Sequence, residues 1–184
     1  MLVAIPVFGE VIDRIVVIVE NKFIITMSDI RKERVIQGAL GTDLGDDDAV
    51  AQSLIEKHVI EEQISQFEQI DIPEERITER LNSLKAPAGI TPQELRAEVT
   101  SKLRRSEFTL RRFGASVRPT DEELHKYYDE EWVPELKRQG VPVPQFEDAR
   151  EAVRQALIVI KINDEFDAWL TDLLKRTTVE KVSK

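Results

Sequence analysis

Few side chains in this sequence could carry out acid–base or metal chemistry. His58 and His125 are the only histidines among the 184 residues, and each has glutamates about one helical turn away. A carboxylate-bridged metal site on helices needs two Glu-x-x-His pairs together with further glutamates on facing helices. Only Glu122 and His125 have that order. Because carboxylates are abundant in this chain, we interpret both histidines as partly exposed surface residues and expect no metal site.

No nucleophile stands in a recognisable catalytic setting either. The chain has no cysteine, no G-x-S-x-G turn and no Gly-rich phosphate-binding loop. The acidic run at residues 46–48 lacks the alternating ligands and the closing glutamate of an EF-hand loop, so it is interpreted as a helix start. The sequence therefore predicts a protein that is not an enzyme and that needs no cofactor.

The composition bounds both the class of protein and the class of partner. Hydrophobic residues make up 41% and charged residues 33% of the chain, which is typical of a protein rich in amphipathic helix. A net charge of −9 argues against a general affinity for nucleic acid or anionic lipid. No apolar run approaches the roughly 20 residues of a membrane span, and the apolar residues 2–8 have no basic segment before them. We expect neither a nucleic-acid partner nor membrane insertion.

One predicted helix reverses this acidic character. Residues 101–113 contain one acid, Glu107, and five cations, Lys102, Arg104, Arg105, Arg111 and Arg112. Phe108 lies three or four residues from the four arginines and therefore on their side of the helix. In one interpretation a second element, the hairpin or the closing helix, covers Phe108 while the arginines pair with acids. In the other, Phe108 is an apolar contact for unfolded chains, rimmed by guanidinium groups that stack on aromatic side chains.

The second interpretation names candidate contacts for an unfolded polypeptide. Two aromatic rings and two guanidinium groups on this helix are the first choice, and two leucines beside a loop with two glycines are the second. Loop-tip leucines can also fold back on to their own helix. The candidates are Phe108, Phe113, Arg104 and Arg111, with Leu40 and Leu44 as the secondary pair.

A β-hairpin is predicted early in the chain, because two apolar runs within residues 11–30 are separated only by Asn21 and Lys22. Asn21 suits the positive φ that a two-residue turn needs. Both alternating sets of residues 15–19 are apolar, so both faces of this strand are expected to be covered. Ser28 is the predicted N-cap of a helix that begins at Asp29.

The rest of the chain is predicted to be helical, apart from its tail. Apolar spacing and capping signatures predict helices over residues 28–40, 48–69, 73–85, 91–113, 120–136 and 146–176. Capping boxes are expected at Thr91 and Thr120, and Pro134 is expected to kink or end its helix. The expected core stripe of the fourth helix is Leu95, Val99, Leu103, Leu110 and Phe113.

The predicted fold class is mainly α, with about six helices around a small sheet. That sheet is formed by the N-terminal hairpin and a β-like tail at residues 177–182. Residues 140–145, GVPVPQ, predict a stiff extended linker. It separates the hairpin and helical region, residues 1–139, from a closing helix and strand, residues 146–184, which we expect to pack back on the hairpin as one structural domain.

Short motifs along the chain resemble, in the same order, those of the SurA family of periplasmic chaperones for outer-membrane proteins. Each motif by itself has low specificity. The resemblance rests on the order of the motifs, which extends along nearly the whole chain. The motifs are I-D-R-I-V at 12–16, E-N at 20–21, I-T at 25–26, S-D-I at 28–30, a Leu- and Arg-rich helix at 95–112, V-R-P-T-D-E-E-L at 117–124, Y-Y at 127–128, F-E-D-A-R at 146–150, W-L at 169–170 and V-E at 179–180.

The resemblance breaks in one place. Proteins of that family usually carry one or two parvulin prolyl-isomerase domains between the Y-Y and F-E-D motifs. Here only 17 residues, 129–145, separate Tyr128 from Phe146, which is too few for such a domain. The resemblance therefore implies the chaperone core alone, without isomerase activity.

For function, the resemblance implies an ATP-independent chaperone that holds unfolded polypeptides, with outer-membrane protein precursors as its clients. It also implies a periplasmic location, with a signal peptide removed ahead of Met1. The alternative is a structural or assembly module without clients. In that case the closing helix docks on a neighbour's hairpin and produces a swapped homodimer.

Overall fold

The computed structural model describes residues 13–66 and 70–182. Within these residues the protein is mainly helical with a small three-stranded antiparallel sheet, which confirms the predicted fold class. Three predicted segments lie outside the described residues: the first two residues of the hairpin stretch, 11–12, the apolar run at 2–8, and the predicted helix end at 67–69. In chain order the elements are β1 (Ile15–Val19), β2 (Phe23–Thr26), α1 (Met27–Ala39), α2 (Asp47–Ser65), α3 (Glu74–Asn82), α4 (Pro92–Phe113), α5 (Asp121–Tyr127), a π-helical turn (Tyr128–Trp132), α6 (Val133–Arg138), α7 (Phe146–Arg176) and β3 (Val179–Lys181).

Contacts within the chain divide it into two compact units. The sheet unit comprises Met1–Val59, Glu75–Val99 and Arg176–Lys184, and the helical unit comprises Ile60–Glu74 and Thr100–Lys175. Each unit has its own set of buried apolar side chains. The expectation of one structural domain with a linker at residues 140–145 stays a prediction.

The sheet has β1 at its centre, with β2 and β3 paired antiparallel on either side. Val17 of β1 pairs with Ile25 of β2 and with Lys181 of β3. The Glu20 N–H also donates a 2.8 Å hydrogen bond to the Thr178 carbonyl. The predicted third strand from the C-terminal tail is therefore confirmed, and it belongs to the sheet unit.

The hairpin turn lies one residue earlier than predicted. Its two positive-φ residues are Glu20 and Asn21, with φ of 50° and 58°, and the Lys22 N–H closes the turn on the Val19 carbonyl at 3.0 Å. Positive φ at both central residues matches the twist of the flanking strands. A turn centred on Asn21 and Lys22 would shift the pairing by one residue and exchange the two faces of β2.

The register decides which apolar side chains of the hairpin are covered. Val17, Val19 and Ile25 are buried, whereas Ile24 on the opposite face is 48% exposed. Val16 and Ile18 on that second face are half-buried. Ile15 at the start of β1 is 37% exposed. The expectation that both faces of β1 are covered is therefore met only in part.

Helix α1 is capped by Thr26 and not by Ser28 as predicted. The Thr26 hydroxyl accepts from the Asp29 N–H at 3.3 Å, and the Asp29 carboxylate accepts from the Thr26 N–H at 2.9 Å. The residue three positions after Ser28 is Arg31, which cannot accept a hydrogen bond in return. Ser28 instead donates its N–H to the Asp13 carboxylate at 3.1 Å.

The later helix starts follow their predicted caps. Thr91 and Glu94 exchange hydrogen bonds of 3.2 and 2.8 Å at the start of α4, and Thr120 and Glu123 form the same box at α5. Helix α7 has the predicted bounds, Phe146–Arg176. In the described ranges no helix combines the length and the apolar character needed to span a membrane.

Pro134 does not end the helical segment in which it lies. The Val133 N–H donates to the Tyr128 carbonyl, five residues earlier, which widens the helix into a π turn directly before the proline. Pro134 has no N–H, and in a regular α-helix its ring would press on the carbonyl four residues before it. The wider turn relieves this crowding, and the helix continues as α6 to Arg138.

Candidate peptide-binding groove

Helices α4 and α7 bring four aromatic rings together in the helical unit. The Phe108 and Trp169 ring centroids are 5.6 Å apart, and those of Phe113 and Phe166 are 6.1 Å apart in an edge-to-face arrangement. Trp169 lies 5.4 Å from Phe166 and joins the two pairs. These centroid distances are those of favourable aromatic pairs. The rings therefore form one aromatic cluster: Phe108, Phe113, Phe166 and Trp169.

Phe108 is inside this cluster and is only 3% exposed. The prediction that its ring contacts unfolded chains at the surface is therefore wrong, and the closing helix α7 covers it, as the other interpretation expected. Phe113 is half-buried in the same cluster. The apolar side of α4 changes along the helix, since Phe108 and Leu110 lie roughly 160° apart at 3.6 residues per turn.

Two arginines of α4 lie over aromatic rings of this cluster, and two others form ion pairs with glutamates. The Arg112 guanidinium carbon is 5.4 Å from the Trp169 ring centroid, and that of Arg105 is 4.8 Å from the Phe166 centroid. Arg104 pairs with Glu61 at 3.5 Å, and Arg111 pairs with Glu107 at 2.9 Å. The predicted candidates Arg104 and Arg111 are thus held by ion pairs within the helical unit.

Beside the aromatic cluster, an open groove of about 580 Å³ runs between α4 and α7. Its floor includes the buried side chains of Ile162 and Phe166. Leu110 from α4 and Val159 from α7 also line it, and each is 57% exposed. We call this feature the α4–α7 groove. The full lining is Lys102, Arg105, Ser106, Thr109, Leu110, Val159, Ile162, Asn163, Phe166 and Asp167.

Sequence reasoning missed both rims of the groove. Leu110 was expected in the core stripe of α4, and it is instead among the most exposed apolar residues of the described chain. The signal was present in the sequence, because Phe108 lies on the opposite side of α4 and only one side can face α7 there. Val159 stands within the apolar run 156–160 of α7, where a single buried stripe cannot take every side chain.

The secondary candidates lie elsewhere. Leu40 and Leu44 are half-buried and belong to the sheet unit. The Leu40 N–H donates to the carbonyls of Ile36 and Gln37 at the end of α1, at 3.1 and 3.0 Å. Neither leucine is among the residues that line the α4–α7 groove.

Both histidines stack on phenylalanine rings. His58 lies parallel to Phe23 with a centroid distance of 3.9 Å, and His125 lies over Phe146 at 3.8 Å. His125 is exposed and His58 is half-buried, and the Nδ1 atom of His125 is 2.8 Å from the Asp121 carbonyl oxygen. In the part of the chain that the structure describes, no three His, Asp or Glu side chains are grouped as metal ligands would be.

A buried polar cluster in the sheet unit was also not predicted from the sequence. The carboxylates of Glu33 in α1 and Glu98 in α4 are almost fully buried, and Lys57 of α2 forms ion pairs with both, at 3.5 Å for Glu33. The Gln37 side-chain amide donates to Glu33 at 2.6 Å and to Glu98 at 3.1 Å. Burial alone would lower the pKa of Lys57, but the two carboxylates, Glu98 first, raise the pKa above its usual value.

Comparison with known proteins does not assign a function to the chain. The function proposed below rests on the geometry of the α4–α7 groove and on the short motifs. No protein-family model matches the chain, and no curated protein sequence matches it.

Proposed function

We propose that this protein holds unfolded polypeptides without using nucleotide, and that it takes their apolar segments into the α4–α7 groove. The observation that carries the proposal is the pair of exposed apolar rims, Leu110 and Val159, above a buried apolar floor. Exposed apolar side chains grouped along a concave surface are a common mark of binding sites.

The energetics of such a groove suit reversible holding. Fully burying a Leu or Val side chain is worth about 1.5–3 kcal/mol. Because Leu110 and Val159 are already partly covered, each contributes about 1 kcal/mol when a client covers the rest. Single contacts are therefore weak, and an unfolded chain gains affinity by offering apolar segments repeatedly, which a folded protein does not.

The remaining support comes from the chain as a whole. Its net charge of −9 keeps a complex with an apolar client soluble. The ordered motifs shared with the SurA family favour outer-membrane protein precursors as clients and the periplasm as the location. With no parvulin-sized insertion between Tyr128 and Phe146, we propose holding without catalysis.

Suppression of aggregation tests the proposal. A denatured β-barrel membrane protein is diluted from urea without nucleotide, alone or with the wild type, with the Leu110→Gln/Val159→Gln variant, or with Val35→Gln. Val35 is a matched control because it is an exposed apolar helix residue in the sheet unit, 41% exposed. We expect suppression by the wild type and by Val35→Gln, and loss of suppression by the groove variant. Equal suppression by the wild type, the groove variant and Val35→Gln would show that clients bind outside the groove. No suppression by the wild type would overturn the proposal.

Sedimentation at several concentrations separates this proposal from the assembly-module alternative. A holding protein needs an accessible groove, so we expect the same sedimentation for the wild type and the groove variant. A tight dimer that dissociates in Leu110→Gln/Val159→Gln would instead assign the groove to a second copy of this chain.

A further inference from the structure

The charged residues that line the α4–α7 groove are mainly cations, and both of these cations belong to α4. Lys102 and Arg105 line it from α4, and the acidic residue of the lining is Asp167 from α7. The lining therefore carries two cations against one anion, in a chain whose net charge is −9. This local reversal lies directly beside the apolar floor.

Arg105 is positioned by its own stacking. Its guanidinium carbon lies 4.8 Å from the centroid of the Phe166 ring, which forms part of the floor. Stacking uses the flat face of the guanidinium group, whereas its N–H groups point outward in the plane, where carboxylates bind. The cation is therefore held at the edge of the apolar surface, one side chain away from where a client's apolar groups would lie.

We infer that the groove prefers extended apolar segments that carry Asp or Glu beside their apolar residues over equal segments that carry Lys or Arg. This inference rests on the proposed holding function and names the chemistry of the segments held. Lys102 and Arg105 already make contacts within the protein, so a client carboxylate exchanges partners. The preference is accordingly modest, about two- to fivefold in Kd per carboxylate, as for ion pairs near a surface.

Matched peptides test the inference. Three fluorescein-labelled peptides share one alternating apolar pattern and differ only at two polar positions, which are Asp, Asn or Lys. Their Kd values are measured by fluorescence anisotropy with the wild type, Lys102→Gln, Arg105→Gln and Lys175→Gln. Lys175 is the control, because it is an exposed cation of α7, 69% exposed, that does not line the groove.

For the wild type and Lys175→Gln we expect the Asp peptide to bind most tightly and the Lys peptide least tightly. The difference should shrink in 0.5 M salt, where the screening length falls to roughly 4 Å. Lys102→Gln should reduce the preference, measured as the ratio of the Kd of the Lys peptide to the Kd of the Asp peptide. Arg105→Gln should reduce the preference as well, and any change in its Asn-peptide affinity reports the lost stacking on Phe166.

Two results would overturn the inference, and they differ in whether the proposed holding function is also contradicted. Equal Kd values for the Asp and Lys peptides would remove the charge preference and leave the holding function intact. If no peptide binds and Leu110→Gln/Val159→Gln still suppresses aggregation, the groove is not the site, and the proposed function of the groove fails with the inference.

Discussion

The Phe108 ring packs against Trp169 with their centroids 5.6 Å apart, and this contact is one of those that join α4 to the closing helix α7 within the helical unit. Removing the ring should leave a cavity beside the three aromatic side chains that remain in the cluster. We expect Phe108→Ala to lower the free energy of unfolding by about 3 kcal/mol, as for large-to-small core changes. Urea unfolding followed by tryptophan emission measures it, in a Trp132→Phe background where Trp169 is the only tryptophan left. A loss below about 1 kcal/mol would contradict the burial of Phe108.

Lys57 holds two buried carboxylates, and its loss should be costly. In Lys57→Met, Glu33 and Glu98 stay buried without their cation, so we expect about 2–3 kcal/mol lower stability, less than for a fully buried pair because Lys57 is partly exposed. Adding Glu98→Gln to Lys57→Met should restore part of this loss, because it removes one unpaired charge. Lys175→Met, which breaks an exposed pair with Asp172, is the control and should change little.

The same lysine predicts a pH dependence. Because the folded-state pKa of Lys57 is raised above its usual value of 10.5, its ion pairs stabilise the protein fully below pH 10.5, and this contribution is lost as the pH rises through the folded-state pKa. The melting temperature of the wild type should therefore fall toward that of Lys57→Met as the pH rises above 10.5. A constant difference between the two proteins across this range would be evidence against the ion pairs.

Glu94 predicts a dependence at the opposite end of the pH scale. Its hydrogen bond from Lys32, followed by those from the Thr91 N–H and hydroxyl, lowers the pKa of Glu94 from 4.5 to about 2. The carboxylate therefore stabilises the protein above pH 4.5, and this contribution is lost as the pH falls through about 2. The melting temperature of the wild type should fall more steeply than that of Glu94→Gln over this range. Parallel curves would contradict the hydrogen bonds that Lys32 and Thr91 donate to Glu94.

The hairpin register can be tested by two glycine substitutions of opposite effect. Glu20 has a φ of 50°, which is unfavourable for a side chain with a Cβ atom, so Glu20→Gly should stabilise the protein by about 0.5–1 kcal/mol. Lys22 has no positive φ, and Lys22→Gly should cost about 0.5 kcal/mol through the freedom of the unfolded chain. Denaturant unfolding measures both. The reverse order of stability would favour the turn expected from Asn21 and Lys22.

The parts of the fold that sequence reasoning predicted are those set by local chemistry. The capping boxes at Thr91 and Thr120 need only residues three positions apart, and the bounds of α7 follow from a long apolar period between a linker and a tail. The third strand was also expected, because the tail resembles a strand and β1 is apolar on both sides.

The parts that were missed depend on which neighbour a side chain meets. Ser28 and Thr26 are both good caps, and only the position of Asp29 relative to each decides between them. Leu110 fits the apolar stripe that buries Leu95 and Val99, but the second half of α4 buries Phe108 on the other side. The groove follows from that change of side, and no spacing within α4 alone shows where α7 lies.

The most direct test of the holding function is to find where an unfolded client touches the protein. The chain has no cysteine, so single-cysteine variants at positions 110, 159 and 35 can each carry one photo-crosslinker. After illumination with an unfolded β-barrel membrane protein, we predict crosslinked product from positions 110 and 159, competed by excess unlabelled client, and only background from position 35. Equal crosslinking at all three positions, or crosslinking at position 35 alone, would contradict the account.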